Sequence, residues 1–315
     1  MKRIAIYVLI ILLLVLTVCF CGYNREYIRD KVPHTVIKPK IFTYLEKDYT
    51  GSDRISLPYN SSYRGIAPFY KYCVTLMEKY SVIVITPENL SEYLTASELP
   101  FVNRPDSQLS FKNRSDLIGS ALLYKYGGMF LERGTVMMKD PSPLLEKLKE
   151  YDLVTFGLSR NPPGPSSGSV ENMPNNQILI SRANNPMLKL YSQNLFEYCK
   201  GGNISGGNFD SPGTNALSKS LIQIKSDTSL SFQHLNYGAE YDGTRDELNN
   251  FVDFDQLLGS VSIKYKDSEK LYFISTPTYS LYNNKYSWFL KLSDTQFSQV
   301  ESYIVRVLLL KLKSI

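Results

Sequence analysis

The chain of 315 residues carries a formal net charge of +5, with 43% hydrophobic and 21% charged residues and no long basic block. That balance describes a globular protein and excludes nucleic-acid binding as its main work. Two His (His34 and His234) and four Cys (Cys19, Cys21, Cys73 and Cys199), with no Cys-x-x-Cys spacing, exclude a His-based or zinc-finger metal site.

Lys2 and Arg3 precede Ile4–Gly22, a stretch without charge. About 18 apolar residues approach the minimum that crosses a bilayer as a helix, longer than the apolar region of most signal peptides. The expected order is a cytosolic tail over 1–3, a transmembrane signal anchor over 4–22, a polar stem over 23–36 and one domain over 37–315. This makes a single-pass type II membrane protein with its domain in a lumenal or extracytoplasmic space. The alternative is a secreted chain after signal cleavage. Asn-x-Ser/Thr sites at Asn60, Asn89, Asn113 and Asn203 fit either placement, Asn113 least because of its neighbours. In an oxidising space Cys73 and Cys199 pair or remain two buried thiols; spacing leaves both open.

Lys40–Leu45 is a short apolar and aromatic run and is predicted to be the first strand. Pro68–Tyr80 carries Phe69, Cys73, Leu76 and Met77 at helical spacing, and Ser81–Thr86 reads as a buried strand. Asn89–Leu94 is predicted to be a short helix. A longer helix, capped by Asn113 or Ser115, runs to Tyr126 and ends at Gly127-Gly128, since Gly accepts the left-handed conformation that terminates helices. Met129–Leu131 is a strand, Pro143–Tyr151 a helix and Leu153–Gly157 a strand. Arg160–Asn175 and Gly201–Gly213 are rich in Gly, Pro, Ser or Asn and read as loops, with a strand resuming at Ile178–Ile180. Strands alternating with helices to about Lys225 predict an α/β fold with a mainly parallel sheet. Phe297–Leu310 is predicted to be one amphipathic helix packed on the core, with a membrane-surface contact through Lys311 and Lys313 as the lesser reading.

In such sheets ligands bind beyond the carboxyl ends of the strands. Glu132 directly follows Met129-Phe130-Leu131, so its carboxylate is aimed from a strand end, where it could hold a hard cation or pair with Arg133. Asp116 shares a helical face with Ser120, so the two could read a ribose or a base together. The acidic stretch Glu240–Asp255, with Asp242, Asp246, Glu247 and Asp253, reads as a solvated loop.

Several segments in order resemble the glycosyltransferases with a DXD-type sugar-binding region, especially the capsular polysaccharide synthesis proteins. Ile37–Tyr44 is similar to their opening IPKIIWxYW, and Tyr80–Leu94 resembles their second strand and following helix. Ser115-Asp116 followed by Leu122–Glu132 and Thr135 resembles SDxxRxxLLYxYGGxWxDxxT. Asn175-Asn176-Gln177-Ile178-Leu179-Ile180-Ser181 with Asn185-Pro186 resembles their NxxxxSxxxxP segment, and Ser211-Pro212-Gly213-Thr214 their late GP turn. The resemblance covers about residues 36–225, and Tyr126–Glu132 is its most specific part.

The resemblance implies a GT-A-like nucleotide-diphospho-sugar transferase fold. It also implies transfer of a hexose from a nucleotide-diphosphate sugar to a glycan or lipid-linked acceptor, commonly retaining and with Mn2+ or Mg2+. Asp116 and Ser115 then face the nucleoside, and Tyr126, Gly127, Gly128 and Thr135 line the nucleotide. Glu132 faces the cation, Asn175, Asn176 and Gln177 line the sugar or acceptor, and Pro212 and Gly213 shape the rim. Glu132, Asn176 and Gln177 are the expected catalytic set. Two positions depart from the pattern. The family's metal-binding Asp is Glu132, one methylene longer, and a displacement of about 1 Å can cost on the order of 100-fold in rate. Gly119 stands where the family has Arg, with Arg114 or Arg133 as substitutes. A module of the same fold that binds nucleotide sugar or glycan without turnover is the second reading, and a partner-binding scaffold the third.

Overall fold

The computed structural model describes residues 39–46, 66–102, 109, 111–159, 172–200, 212–224, 230–236, 246–248, 250, 252–259, 262–265, 268–276 and 285–314. The expected tail, anchor and stem lie outside these residues. No helix among the described residues is long and apolar enough to cross a membrane.

In chain order, the strands are β1 (Ile41–Tyr44), β2 (Ile83–Ile85), β3 (Gly128–Leu131), β4 (Thr135–Met137), β5 (Leu153–Ser159), β6 (Asn172–Ser181), β7 (Phe232–Asn236) and β8 (Phe273–Ser275). The longer helices are α1 (Pro68–Lys79), α2 (Phe111–Tyr126), α3 (Pro186–Lys200), α4 (Pro212–Ile224) and α5 (Tyr303–Ser314). Six strands form one sheet in the order β2-β1-β3-β6-β5-β7, while β4 and β8 form a separate antiparallel pair. β1 runs parallel to β2 and β3, β5 runs parallel to β7, and β6 is antiparallel to both β3 and β5. Five strands therefore point one way and β6 opposes them, so the expected mainly parallel α/β sheet is present with one reversed strand.

The sheet is covered on both faces because its strands are apolar on both sides, as parallel strands require. Ile41, Met129, Leu131, Ile178 and Ile180 face a core completed by α1, α5, β4 and β8. Phe42, Tyr44, Phe130, Leu153 and Leu179 face a second core built from α2, α3 and α4. Burying each such side chain contributes about 1.5–3 kcal/mol. Cys73 lies in the first core, whereas Cys199 packs against the second. The sheet separates them, both are free thiols, and the pairing alternative is overturned. Burial raises the pKa of both thiols, Cys199 to about 11.

Several element boundaries differ from the sequence reading. α2 begins at Phe111, so Asn113 and Ser115 lie inside it as buried residues instead of capping it. Asn113 is 3% exposed, which makes it a poor glycan acceptor in the folded chain, and the Asn89 side chain already bonds Thr86 N and Val84 O. Asn60 and Asn203 lie outside the described residues. The helix expected over 143–151 is a short α-turn, Ser142–Leu145, followed by a 3-10 turn, Glu146–Lys149. β6 starts at Asn172, inside the expected loop, because Asn172–Asn175 pair with Phe156–Ser159 of β5. The single C-terminal helix is two: Asp294–Ser298, closed by a Ser293–Gln296 capping box, and α5. Ile304, Val305 and Leu308 of α5 are buried, and Lys311 bonds Met138 O, so this helix packs on the core.

Candidate functional site

The carboxyl edge of the sheet gathers residues from four distant segments. Glu132 leaves β3 there and is 3% exposed. Its backbone N–H donates to Gln177 O at 2.8 Å, and its carbonyl accepts from Thr135 N at 3.0 Å. Thr135 thus fixes the turn into β4 behind the carboxylate.

Asp116 approaches from the first half of α2. Lys112, one turn earlier, donates to Asp116 Oδ1 at 2.6 Å, and its Nζ stands 3.4 Å from Glu132 Oε2. Asn176 Nδ2 donates to Asp116 Oδ2 at 2.7 Å and lies 3.4 Å from the Tyr191 hydroxyl of α3. Burial, with a smaller push from the charge of Glu132, raises Asp116 to about 7 against the opposing pull of Lys112 and Asn176. The two carboxylates hold Lys112 above its ordinary pKa although burial works the other way.

Asn176 owes its aim to an irregular stretch of β6. Thr155 pairs with Leu179 and the next residue, Phe156, with Asn175, so Asn176, Gln177 and Ile178 have no partner in β5. Bulges of this kind redirect side chains beside ligand sites. Within it, Asn175 Nδ2 donates to Gln177 Oε1 at 3.0 Å and Gln177 Nε2 to Thr276 O at 2.9 Å. These two side chains brace the bulge, whereas Asn176 reaches Asp116.

The start of α4 closes the group. A Cβ on Gly213 would lie 2.1 Å from Asn176 Nδ2 and 2.6 Å from Asp116 Oδ2, so only Gly allows α4 this close. Thr214 Oγ1 bonds Asn176 Oδ1 at 3.4 Å. Pro212 opens the helix, its fixed φ suited to a first helical turn.

The structure therefore brings together Asp116, Glu132, Asn176, Pro212 and Gly213, with Gln177, Asn175 and Thr135 behind them. Ser115 is buried on α2 beside Asp116. Ser120 does not join Asp116 in facing a ligand: its hydroxyl donates to Leu188 O at 2.8 Å and accepts from Ser192.

Tyr126, Gly127 and Gly128 are not brought there. They lie at the opposite end of β3 from Glu132. The Tyr126 hydroxyl donates to Tyr93 O at 2.8 Å, and its ring packs under Lys40. Gly127 and Gly128 have φ of +66° and +100°. A Cβ on Gly128 would stand 1.9 Å from Lys40 O. These glycines turn the chain from α2 into β3 beside β1, which is a structural duty.

Both Arg named as substitutes at Gly119 are engaged with Glu46. Arg114 pairs with Glu46 at 2.5 Å, a residue also bound by the Tyr44 hydroxyl. Arg133, 1% exposed, is sandwiched between the Tyr70 and Phe111 rings and donates to Glu46 O. At Gly119 a Cβ would meet the Phe130 ring at 2.7 Å, so the ring takes the space of a longer side chain. The cation at the site is Lys112, absent from the sequence-derived set. Its signal was the spacing of four from Asp116, which sets two side chains on one helical face.

The divalent cation implied by the family resemblance finds a poor fit. Among the described residues no group of three or more His, Cys, Asp or Glu could hold a metal ion. The two carboxylates that do converge already face the Lys112 ammonium. In the acidic stretch, Asp246 and Asp253 cap their own turns and Asp255 pairs with Lys285, while Glu240 and Asp242 lie outside the described residues.

No curated protein sequence matches this chain. Among solved structures, one similar chain is a "PaToxG Glycosyltransferase", with a TM-score of 0.35 and 12% identity, covering 67% of this chain and 79% of that one. Residues 66–207 match the family described as capsular polysaccharide synthesis protein. That segment contains β3, Asp116, Lys112, Glu132 and Asn176, so the likeness read from the Tyr126–Glu132 block stands: over residues 66–207 this chain is similar to the capsular polysaccharide synthesis proteins.

Proposed function

We propose that the protein is a glycosyltransferase that moves a hexose from a nucleotide-diphosphate sugar to a glycan or lipid-linked acceptor at the carboxyl edge of a GT-A-like sheet. The observation that carries this reading is the convergence of Asp116, Lys112, Glu132 and Asn176 against Gly213 at the start of α4. Carboxylates and an amide are the groups that bind sugar hydroxyls, and an ammonium suits a phosphate oxygen. The family similarity over residues 66–207 supports the same chemistry class.

In this reading the site works by positioning and charge. Asn176 and Asp116 orient hydroxyls of the donor. Lys112 meets charge developing on the leaving diphosphate, an interaction that strengthens as the glycosidic bond breaks. Retention of configuration, which the resemblance implies, is read from the anomer of the product.

The test is release of nucleoside diphosphate from a panel of nucleotide sugars, with and without capsule-type oligosaccharides. Turnover by the natural chain, and loss of at least about tenfold in Glu132→Gln, is the expected result. Binding without any turnover would instead favour the non-catalytic module. Gly119 packed under Phe130 is the observation on that side, since it leaves the position without the family's Arg.

A further inference from the structure

The cation position of the site is already filled by a side chain. We infer that the Lys112 ammonium serves as a built-in cation, so that the site binds a nucleoside diphosphate without a divalent metal. This rests on the reading of the site given above and says which cation that site uses.

Lys112 leaves the first turn of α2 and reaches both carboxylates, at 2.6 Å from Asp116 and 3.4 Å from Glu132. A cation bridging two acidic groups at the end of β3 occupies the place of a metal held between them. An ammonium has three donor hydrogens, and the two carboxylates engage two of its directions. The third can meet a phosphate oxygen, which Lys binds as a point charge. The Lys112 side chain keeps 20% of its surface exposed while Asp116 and Glu132 keep 2% and 3%, so among the three it is the group that an arriving ligand can touch.

The other nearby cations are committed elsewhere. Arg114 pairs with Glu46, and Arg133 is held by the Tyr70 and Phe111 rings and by Glu46 O. Gly119 supplies no charge. Asn176 and the α4 start bear on Asp116 through its other carboxylate oxygen, which leaves Oδ1 to Lys112.

The carboxylates that hold Lys112 form a potential metal site only once the ammonium is gone. Removing it therefore converts the cation requirement instead of merely weakening the site. A packing role for Lys112 would not produce that conversion.

The experiment is calorimetric titration of UDP, GDP, CDP and ADP in turn, with inorganic diphosphate as a control, into the full chain in EDTA and in Mn2+. Natural protein is expected to bind its preferred nucleoside diphosphate with affinities that agree within about threefold in the two buffers. Lys112→Ala should lose at least about tenfold in EDTA and recover most of it in Mn2+. Lys112→Arg, which keeps the charge, should retain binding in EDTA, and Lys112→Met, which keeps the buried stem, should not. Binding by the natural chain that requires Mn2+, or undiminished binding by Lys112→Met in EDTA, would overturn the inference while leaving the functional reading intact. No binding of any nucleoside diphosphate in either buffer would overturn both.

Discussion

The two ends of β3 do different work although seven consecutive residues join them. At its entry, Gly127 and Gly128 adopt positive φ and let the strand pass within hydrogen-bonding distance of Lys40 O, with Met129 N donating to it at 2.9 Å. At its exit, Glu132 is buried beside Lys112 and Asp116. The entry is specified by backbone sterics and tolerates only glycine. The exit is specified by charge and carries the candidate chemistry. A sequence motif that recurs as one block can thus divide into a part that makes the fold and a part that uses it.

Breaking the entry should give the largest effect. Gly128→Ala places a Cβ 1.9 Å from Lys40 O at a φ of +100°. Denaturant unfolding is expected to show a loss of more than about 3 kcal/mol. A loss below about 1 kcal/mol would mean that the α2–β3 turn is not held as described.

Crowding the exit should separate stability from binding. Gly213→Ala pushes into Asn176 and Asp116, with an expected cost of about 1–3 kcal/mol in unfolding and at least about tenfold in nucleoside diphosphate affinity. Equal affinity would remove the start of α4 from the site.

A third effect comes from pH. Asp116 has a folded-state pKa raised from 3.8 to about 7, chiefly by burial. Between those values the folded chain keeps a proton that the unfolded chain has released, so its contribution to stability is greatest below about 4 and is lost as pH rises toward 7. Asp116→Asn should remove that slope, which unfolding curves from pH 4 to 8 will show. The smallest effect concerns the thiols. Because Cys73 and Cys199 lie in different cores, reductant should leave stability unchanged within about 0.5 kcal/mol, whereas loss of a disulfide would cost about 2–4 kcal/mol.

The layers were legible in the sequence wherever apolar residues set the pattern. β1, α1, β3 and β5 lie within two residues of their expected bounds because runs such as Ile41–Tyr44 and Leu153–Phe156 have nowhere to go but a core. Reading failed where polar residues are buried for a purpose. Asn113 and Ser115 looked like helix caps and Lys112 like a residue ahead of them, yet all three are helical. Asn172–Asn175 looked like the end of a loop because its β-structure comes from pairing with β5, a long-range event that composition does not encode. The reversal of β6 is likewise a matter of pairing. Glu132 was found from its place at a strand end and Asp116 from its helical face, Asn176 and Gly213 through the family resemblance, while Lys112 was missed because the helix was expected to start after it.

The contrast between the two ends of β3 is tested most directly by one titration of nucleoside diphosphate sugar into the natural chain, Glu132→Gln and Tyr126→Phe. Tyr126→Phe loses only the bond to Tyr93 O, at the entry. It should bind within about twofold of the natural chain while Glu132→Gln falls by at least about tenfold. Loss of binding in Tyr126→Phe with Glu132→Gln unaffected would contradict the account and return the nucleotide to the glycine turn.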